Sequence, residues 1–414
     1  MARARQTSRW AIMSMFALVA SSHSFLCPAL GSLALDPGSV SLDASDGTAG
    51  APRAASAMRV NQSAMSSSSP SCRSCPENRK RYVDWLREIE TQCKLRHRQT
   101  SPKVGWLQHK FFDSNLTTSF VVVDQDGNGD HASVQEAIDA VPVNNTVPIT
   151  IFVSPGVYQE KVKIVESKPY ITLQGSGADL TTIVWDDYAG KLGVDGSHLG
   201  TFHTATVHVS APYFSARGIT FKNSAPVQPA GSQAVAFQIT GDMAAFYECN
   251  FIGAQDTLYD HSGRHYFKSC FIQGSVDFIF GNGRSLYKDC ELNAIGSGAL
   301  TAQKRQNASD NTGFSFVNCR ILGNGLVYLG RAWGPFSRVV FLYCYMDSVI
   351  NPGGWDDWGD SSRDMTVFYG EFNCTGPGAN GMRRVPWSYV LTEAEAQPFL
   401  DERFIEGDAW LQYL

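Results

Sequence analysis

The sequence predicts an all-β chain wound as a parallel β-helix, with one short helix capping its N-terminal end. Three observations carry this. Six cysteines fall at positions 249, 270, 290, 319, 344 and 374, at intervals of 21, 20, 29, 25 and 30 residues. Each sits in a short aromatic or apolar run, such as Phe246-Tyr247-Glu248-Cys249 or Tyr266-Phe267-Lys268-Ser269-Cys270. Gly, Asn and Asp turns separate the runs, and the chain's 37 glycines point to many turns rather than long helices. A period of about 20 to 30 residues made of short strands is what stacked coils require, because one coil alone cannot bury its apolar face.

The chain opens with a different kind of segment. Arg3, Arg5 and Arg9 precede an apolar stretch from Trp10 to Ala20, which reads as a secretory signal over residues 1–24, with a signal anchor as the alternative. The stretch is too short to span a bilayer comfortably, and no later segment is apolar enough to try. Residues 25–115 read as a low-complexity linker, rich in Ser, Ala and Gly up to Pro70 and lacking the apolar content to offset its ordering entropy. Within it, Val83, Leu86 and Ile89 mark one short helix. Cys72, Cys75 and Cys93 fall short of the four ligands of a structural zinc site, so disulfides are the expectation. Asn61, Asn115, Asn144, Asn307 and Asn373 each begin an N-x-Ser/Thr sequon, in keeping with secretion and glycosylation.

The folded unit is expected over residues 116–414. It starts with a strand at Phe120 to Val123, a turn through Gly127 and Gly129, and a helix in which Ser133 and Glu136 form a capping box. Val134, Ala137, Ile138 and Val141 follow at helical spacing. The turn Asp124-x-Asp126-x-Asn128-Gly129 imitates a calcium loop, but its twelfth position is Gln135 rather than a bidentate Glu, so no metal is expected there. Further on, coil stacking sets equivalent residues about 4.8 Å apart, and the six cysteines should form a buried file of thiols. Disulfides between them are disfavoured because in-register neighbours on parallel strands do not readily reach the bonding geometry.

The same period organises the polar residues. Gln233 and Gln255 are 22 apart, and Asp256 and Asp277 are 21 apart, so all four should converge on one face. Two carboxylates one strand spacing apart cannot both ionise freely; one should keep its proton while the other stays anionic. Asp277 lies amid Val276, Phe278, Ile279 and Phe280, where an unpaired charge is costly, and Arg331 in Leu329-Gly330-Arg331-Ala332-Trp333 is its natural partner. That cation should hold Asp277 ionised.

Composition narrows the function. Hydrophobic content of 43% is ample for a large core, and a net charge of −5 argues against a nucleic-acid protein and gives no global attraction for a polyanion, so capture of an acidic ligand must be local. No G-x-S-x-G elbow is present, which disfavours a Ser/His/Asp esterase.

At these residues the chain resembles the plant pectin methylesterase family. The stretches GVYQE (Gly156 to Glu160), QAVAF (Gln233 to Phe237), QDTLY (Gln255 to Tyr259), DFIFG (Asp277 to Gly281) and LGRAW (Leu329 to Trp333) stand in the family's order, within a similarity running from about Phe120 to the C-terminus. The resemblance implies a right-handed parallel β-helix, hydrolysis of methyl esters of polygalacturonate, a cell-wall location, and no metal or organic cofactor. It implies a monomer acting on methylesterified homogalacturonan, with a proteinaceous inhibitor as a further partner. By the same likeness Asp277 matches the nucleophile, Asp256 the proton donor and acceptor, and Gln233 and Gln255 the oxyanion-stabilising residues. Arg331 and Trp333 match contacts to the nucleophile and the sugar, and Thr201 matches a substrate-contacting threonine. Phe202, Tyr259 and Phe280 are candidate companions of Trp333, with core packing the equal alternative.

Two departures stand out. The Ser-rich segment occupies the place of the four-helix inhibitory domain found in many plant relatives. Ala332 replaces a more usual Pro, which should loosen the loop beside Arg331. Pectate lyase and polygalacturonase are the rival activities on such a fold, and their sequence signatures are missing; a non-catalytic wall-binding protein would be expected to have lost one of the five polar residues.

Overall fold

The computed structural model describes residues 119–227 and 231–414. The signal, the linker with its helix and cysteines, and the sequons at Asn61 and Asn115 lie outside the described residues.

The strands wind as a right-handed parallel β-helix with three faces. The first face holds eleven strands in chain order, from Ser119–Val123 through Ala244–Tyr247, Arg264–Lys268, Arg284–Lys288 and Gly313–Val317 to Tyr389–Val390, each paired in parallel with the next. The second face stacks Thr220–Asn223, Asn250–Ile252 and the first part of Phe271–Gly281. The third stacks Val207–Val209, Phe237–Ile239, Leu258–Asp260, the last part of Phe271–Gly281 and of Glu291–Gln303, then Val327–Arg331 and Trp355–Asp356. Phe271–Gly281 and Glu291–Gln303 are long because each runs across both faces without a break.

The corner between the first two faces explains the cysteine period. The residue before each cysteine (Glu248, Ser269, Asp289, Asn318, Tyr343 and Asn373) has a left-handed backbone, with φ between 49° and 57°. One such residue swings the chain through the corner, at a cost of about 1–2 kcal/mol for a side chain other than Gly. Hydrogen bonds between rungs offset that cost: the Glu248, Ser269 and Asp289 N–H groups donate to the carbonyls of Lys268, Lys288 and Val317. The next residue must then point inward into a tight space, which cysteine fits. All six thiols are free, five of them buried, as the sequence led us to expect. Burial pushes the Cys249 thiol up to about 12.

Inside, Phe246, Phe267, Tyr287, Phe316 and Phe341 stack face to face with centroids 4.6, 4.5, 4.5 and 4.6 Å apart. Their spacing is that of the strands themselves, so each rung adds one ring to a continuous stack. The C-terminal segment lies on the outside of the first face, where Phe404, Ile405 and Trp410 pack with Tyr266, Leu286 and Val340.

The capping helix forms over Val134–Ala140, with Val134, Ala137 and Ile138 buried. Its capping box is only half made. Ser133 Oγ accepts from the Glu136 N–H, but the free N–H groups of Val134 and Gln135 donate to the Glu160 carboxylate at 2.8 and 2.9 Å. A carboxylate from the first coil thus takes over the start of the helix, where the helix dipole also favours negative charge.

Candidate active site

The outer surface of the third face carries the polar constellation. Isolated parallel bridges join Gln233 to Gln255 and Gln255 to Val276, and the Asp256 N–H donates to the Val276 carbonyl at 3.0 Å. Leu258 is in register with Ile279 two positions on, so Asp256 and Asp277 are equivalent residues on neighbouring rungs. The 22-residue step from Gln233 has one residue too many, and the register absorbs it before Phe237 meets Leu258. Asp256 and Asp277 both adopt left-handed backbone, at φ 60° and 49°, which Asp tolerates better than most residues. There the chain turns onto the third face, and both carboxyls end up buried, at 8% and 6% exposure.

Arg331 sits further along, in register with Ala302, which is itself in register with Phe280. Its side chain reaches back to Asp277 in a two-pronged pair, Nε to Oδ1 at 2.7 Å and Nη2 to Oδ2 at 2.5 Å. Parallel N–H···O bonds fix both the position and the plane of the carboxylate. The preceding Gly330 is obligatory: a Cβ there would lie 2.4 Å from Thr301 Oγ1 and 3.2 Å from the Trp355 ring.

Electrostatics separate the two acids. Burial, reinforced by the charge of Asp277, pushes Asp256 well above the ordinary carboxylate range, with Arg331 opposing. Burial also raises Asp277 above the ordinary carboxylate range, by more than the Arg331 guanidinium offsets. The hydrogen bonds from Arg331 oppose that rise, while Asp256 has no such bond. Burial and the neighbouring charge thus favour a proton on Asp256, while the two Arg331 hydrogen bonds favour the negative charge on Asp277.

Around this pair, Gln233 and Gln255 are half-buried on adjoining rungs. Tyr259 and Phe280 stack at 4.1 Å and pack with Ala205, Val235 and Ala302 as an apolar floor, with Trp333 against its edge, 6.1 Å from Phe280. Both Tyr259 and Phe280 are over 90% buried, so the core-packing reading fits them better than that of sugar platforms, whereas Phe202 is 42% exposed. Thr201 begins the short turn Thr201–His203. That turn is tied to the Gln233 strand through Thr204, whose Oγ1 accepts from the Val235 N–H and donates to the Thr201 carbonyl. Gln233, Gln255, Asp256, Asp277, Arg331 and Trp333 thus gather on neighbouring rungs of the third face, with the Thr201 turn tied to it through Thr204.

The loop after Arg331 is not loosened by Ala332. The Ala332 N–H, which a proline would lack, donates to the Asp356 carbonyl at 2.9 Å, and Arg363 donates to the carbonyls of Ala332 and Trp333. Residues beyond the sequence reading also enter the site. Trp358 covers the Arg331 guanidinium at 4.1 Å, Asp356 is in register with Arg331, and the Lys304 ammonium lies 4.2 Å above the Trp333 ring. Trp358 comes from a loop with no period, so only the Trp355-Asp356-Asp357-Trp358 run hinted at it.

Comparison with known proteins agrees with this fold. The pectinesterase family model matches residues 120–408. Pectinesterase QRT1 of Arabidopsis thaliana is 45% identical, over 80% of this chain and 90% of its own length. Probable pectinesterase 8 of the same plant is 48% identical, over 72% and 77%. Among solved structures, pectin methylesterase from carrot superposes with a TM-score of 0.67 at 38% identity, covering 70% of this chain and 94% of the other. A pectin methylesterase in complex with a hexasaccharide superposes at 0.62 and 27% identity, covering 70% and 98%.

Proposed function

The chain belongs to the pectinesterase family and is a carboxylic ester hydrolase that removes methyl esters from pectin, and from that premise we propose that Asp277 and Asp256 divide the reaction as nucleophile and proton carrier. The observation that carries this reading is the Arg331–Asp277 pair, one rung from a buried Asp256 that is pushed well above its ordinary range.

The ionised Asp277 oxygen attacks the C6 carbonyl carbon of a methylgalacturonate. The amide N–H groups of Gln233 and Gln255 stabilise the developing oxyanion, a contribution of about 3 kcal/mol per donor in comparable sites. Collapse breaks the bond to the methoxy oxygen, and Asp256 gives its proton to the departing methanol. An anhydride now joins the galacturonyl carbon to Asp277. Water then passes a proton to Asp256 while its oxygen bonds to C6, the bond to Asp277 breaks, and Asp277 is again an anion. The product acid loses its proton to solvent.

Thr201 and Trp333 contact the sugar on either side of this centre, and the hexasaccharide bound by a structural relative supports an extended chain in the groove. The natural substrate is methylesterified homogalacturonan in the cell wall, reached by secretion through residues 1–24. The catalytic unit begins near residue 116 and acts as a monomer. A proteinaceous inhibitor would dock over the same groove.

Incubation with highly methylated pectin tests the activity. Methanol and new carboxylate should appear in equal amounts, without absorbance from unsaturated uronate. Unsaturated product without methanol would move the chain to lyase chemistry.

A further inference from the structure

We propose that Lys304 is a specificity residue: it binds the free carboxylate of an already demethylated galacturonate, and so favours hydrolysis on chains that carry earlier product. This rests on the reading of the groove as the pectin site.

Lys304 follows directly on the strand Glu291–Gln303, and its N–H donates to the Gly281 carbonyl at 2.7 Å, which fixes the root of the side chain. Its ammonium rests over the Trp333 ring, 4.2 Å from the centroid. Among the described residues no carboxylate pairs with it, whereas Lys161, Lys191, Lys268 and Lys288 each have an acidic partner. The aromatic face holds the cation in place without neutralising it. Its field reaches the neighbouring His261, whose imidazole is lowered by burial and then by this charge. An oriented and uncompensated ammonium beside a sugar platform is half of an ion pair whose other half must come from outside the protein.

Strand arithmetic identifies that other half. Gln303 is in register with Gly281, which places Lys304 level with Asn282, five positions along from Asp277 and about 16 Å away at full extension. That offset places Lys304 along the strand from the carboxyl being hydrolysed rather than beside it. Its partner lies on a different sugar of the same chain, a few units away. A methyl ester offers no charge there, and a hydrolysed one does. With a net charge of −5 the protein as a whole repels polygalacturonate, so a local cation weighs all the more.

The test compares the wild type, Lys304→Met and Lys304→Arg on two oligogalacturonates: one fully methylated, the other with some carboxylates already freed. The wild type should turn over the partly demethylated chain with the lower KM, and added salt should erode that advantage. In Lys304→Met the advantage in kcat/KM should shrink by about fivefold, mainly through KM, and lose its salt dependence, as expected for one partly exposed ion pair. Lys304→Arg should keep it. An unchanged ratio in Lys304→Met overturns the proposal. So does a gain on both substrates alike, which would mean that Lys304 merely obstructs Trp333. Failure of the wild type to release methanol from either substrate overturns the groove reading, and this proposal with it.

Discussion

Arg331 shows how one side chain sets the working range of the site. Asp277 must be anionic to attack, so activity falls on the acid side as pH drops through its pKa. Asp256 must hold its proton, so activity falls on the basic side as pH rises through its own. Arg331 opposes the upward push that burial gives Asp277. Removing the guanidinium lets that pKa rise, and Arg331→Ala should shift the acid limb of the kcat profile to higher pH as well as lowering kcat. An acid limb left in place would mean that the pair is not electrostatically coupled. The partnership itself was legible in the sequence, because an aspartate amid Val276, Phe278, Ile279 and Phe280 needs a cation. The net direction of the shift was not legible, since it depends on how deeply the fold buries Asp277, and no run of residues states that depth. Nor did the sequence disclose that Ala332 supplies an N–H to Asp356 where a proline could not.

The strand Leu258–Asp260 shows what anchors the catalytic rung from within. Tyr259 faces the groove floor, while Asp260 points into the interior, fully buried. There its carboxylate meets His265 Nδ1 at 2.6 Å and accepts from the Tyr287 hydroxyl at 2.6 Å, and His265 Nε2 reaches the Gly241 carbonyl at 2.9 Å. This network ties the third face to the first across the core. Gly283 leaves room for it, since a Cβ there would stand 2.1 Å from Asp260 Oδ1. Tyr287→Phe keeps the aromatic stack but strands a buried carboxylate oxygen, and should cost about 1–3 kcal/mol of stability in denaturant unfolding. A change of only a few tenths would show that the network is structurally idle. The strands could be read from their apolar runs, and the helix from its periodicity. The Glu160 contribution to the helix start could not, because it joins residues 25 and 26 positions apart that only coiling brings together.

At the scale of the whole molecule, function follows from winding. A coil of 21 residues returns the chain to the same face one strand spacing away, so Asp256 and Asp277 meet without any local sequence contact. The six cysteines recorded that period because each occupies the inward position just after a left-handed corner. The later, longer coils put their extra residues into loops between the strands. One of these brings Trp358 over Arg331, and such a loop obeys no period that a sequence reading could use.

The pairing of two aspartates through one turn of the helix is the centre of this account, and methanol release by Asp277→Asn tests it most directly. The variant should unfold at the wild-type midpoint yet release methanol from methylated pectin at least about a thousandfold more slowly, because an amide cannot form the anhydride. Turnover within tenfold of the wild type, with the fold intact, would contradict it.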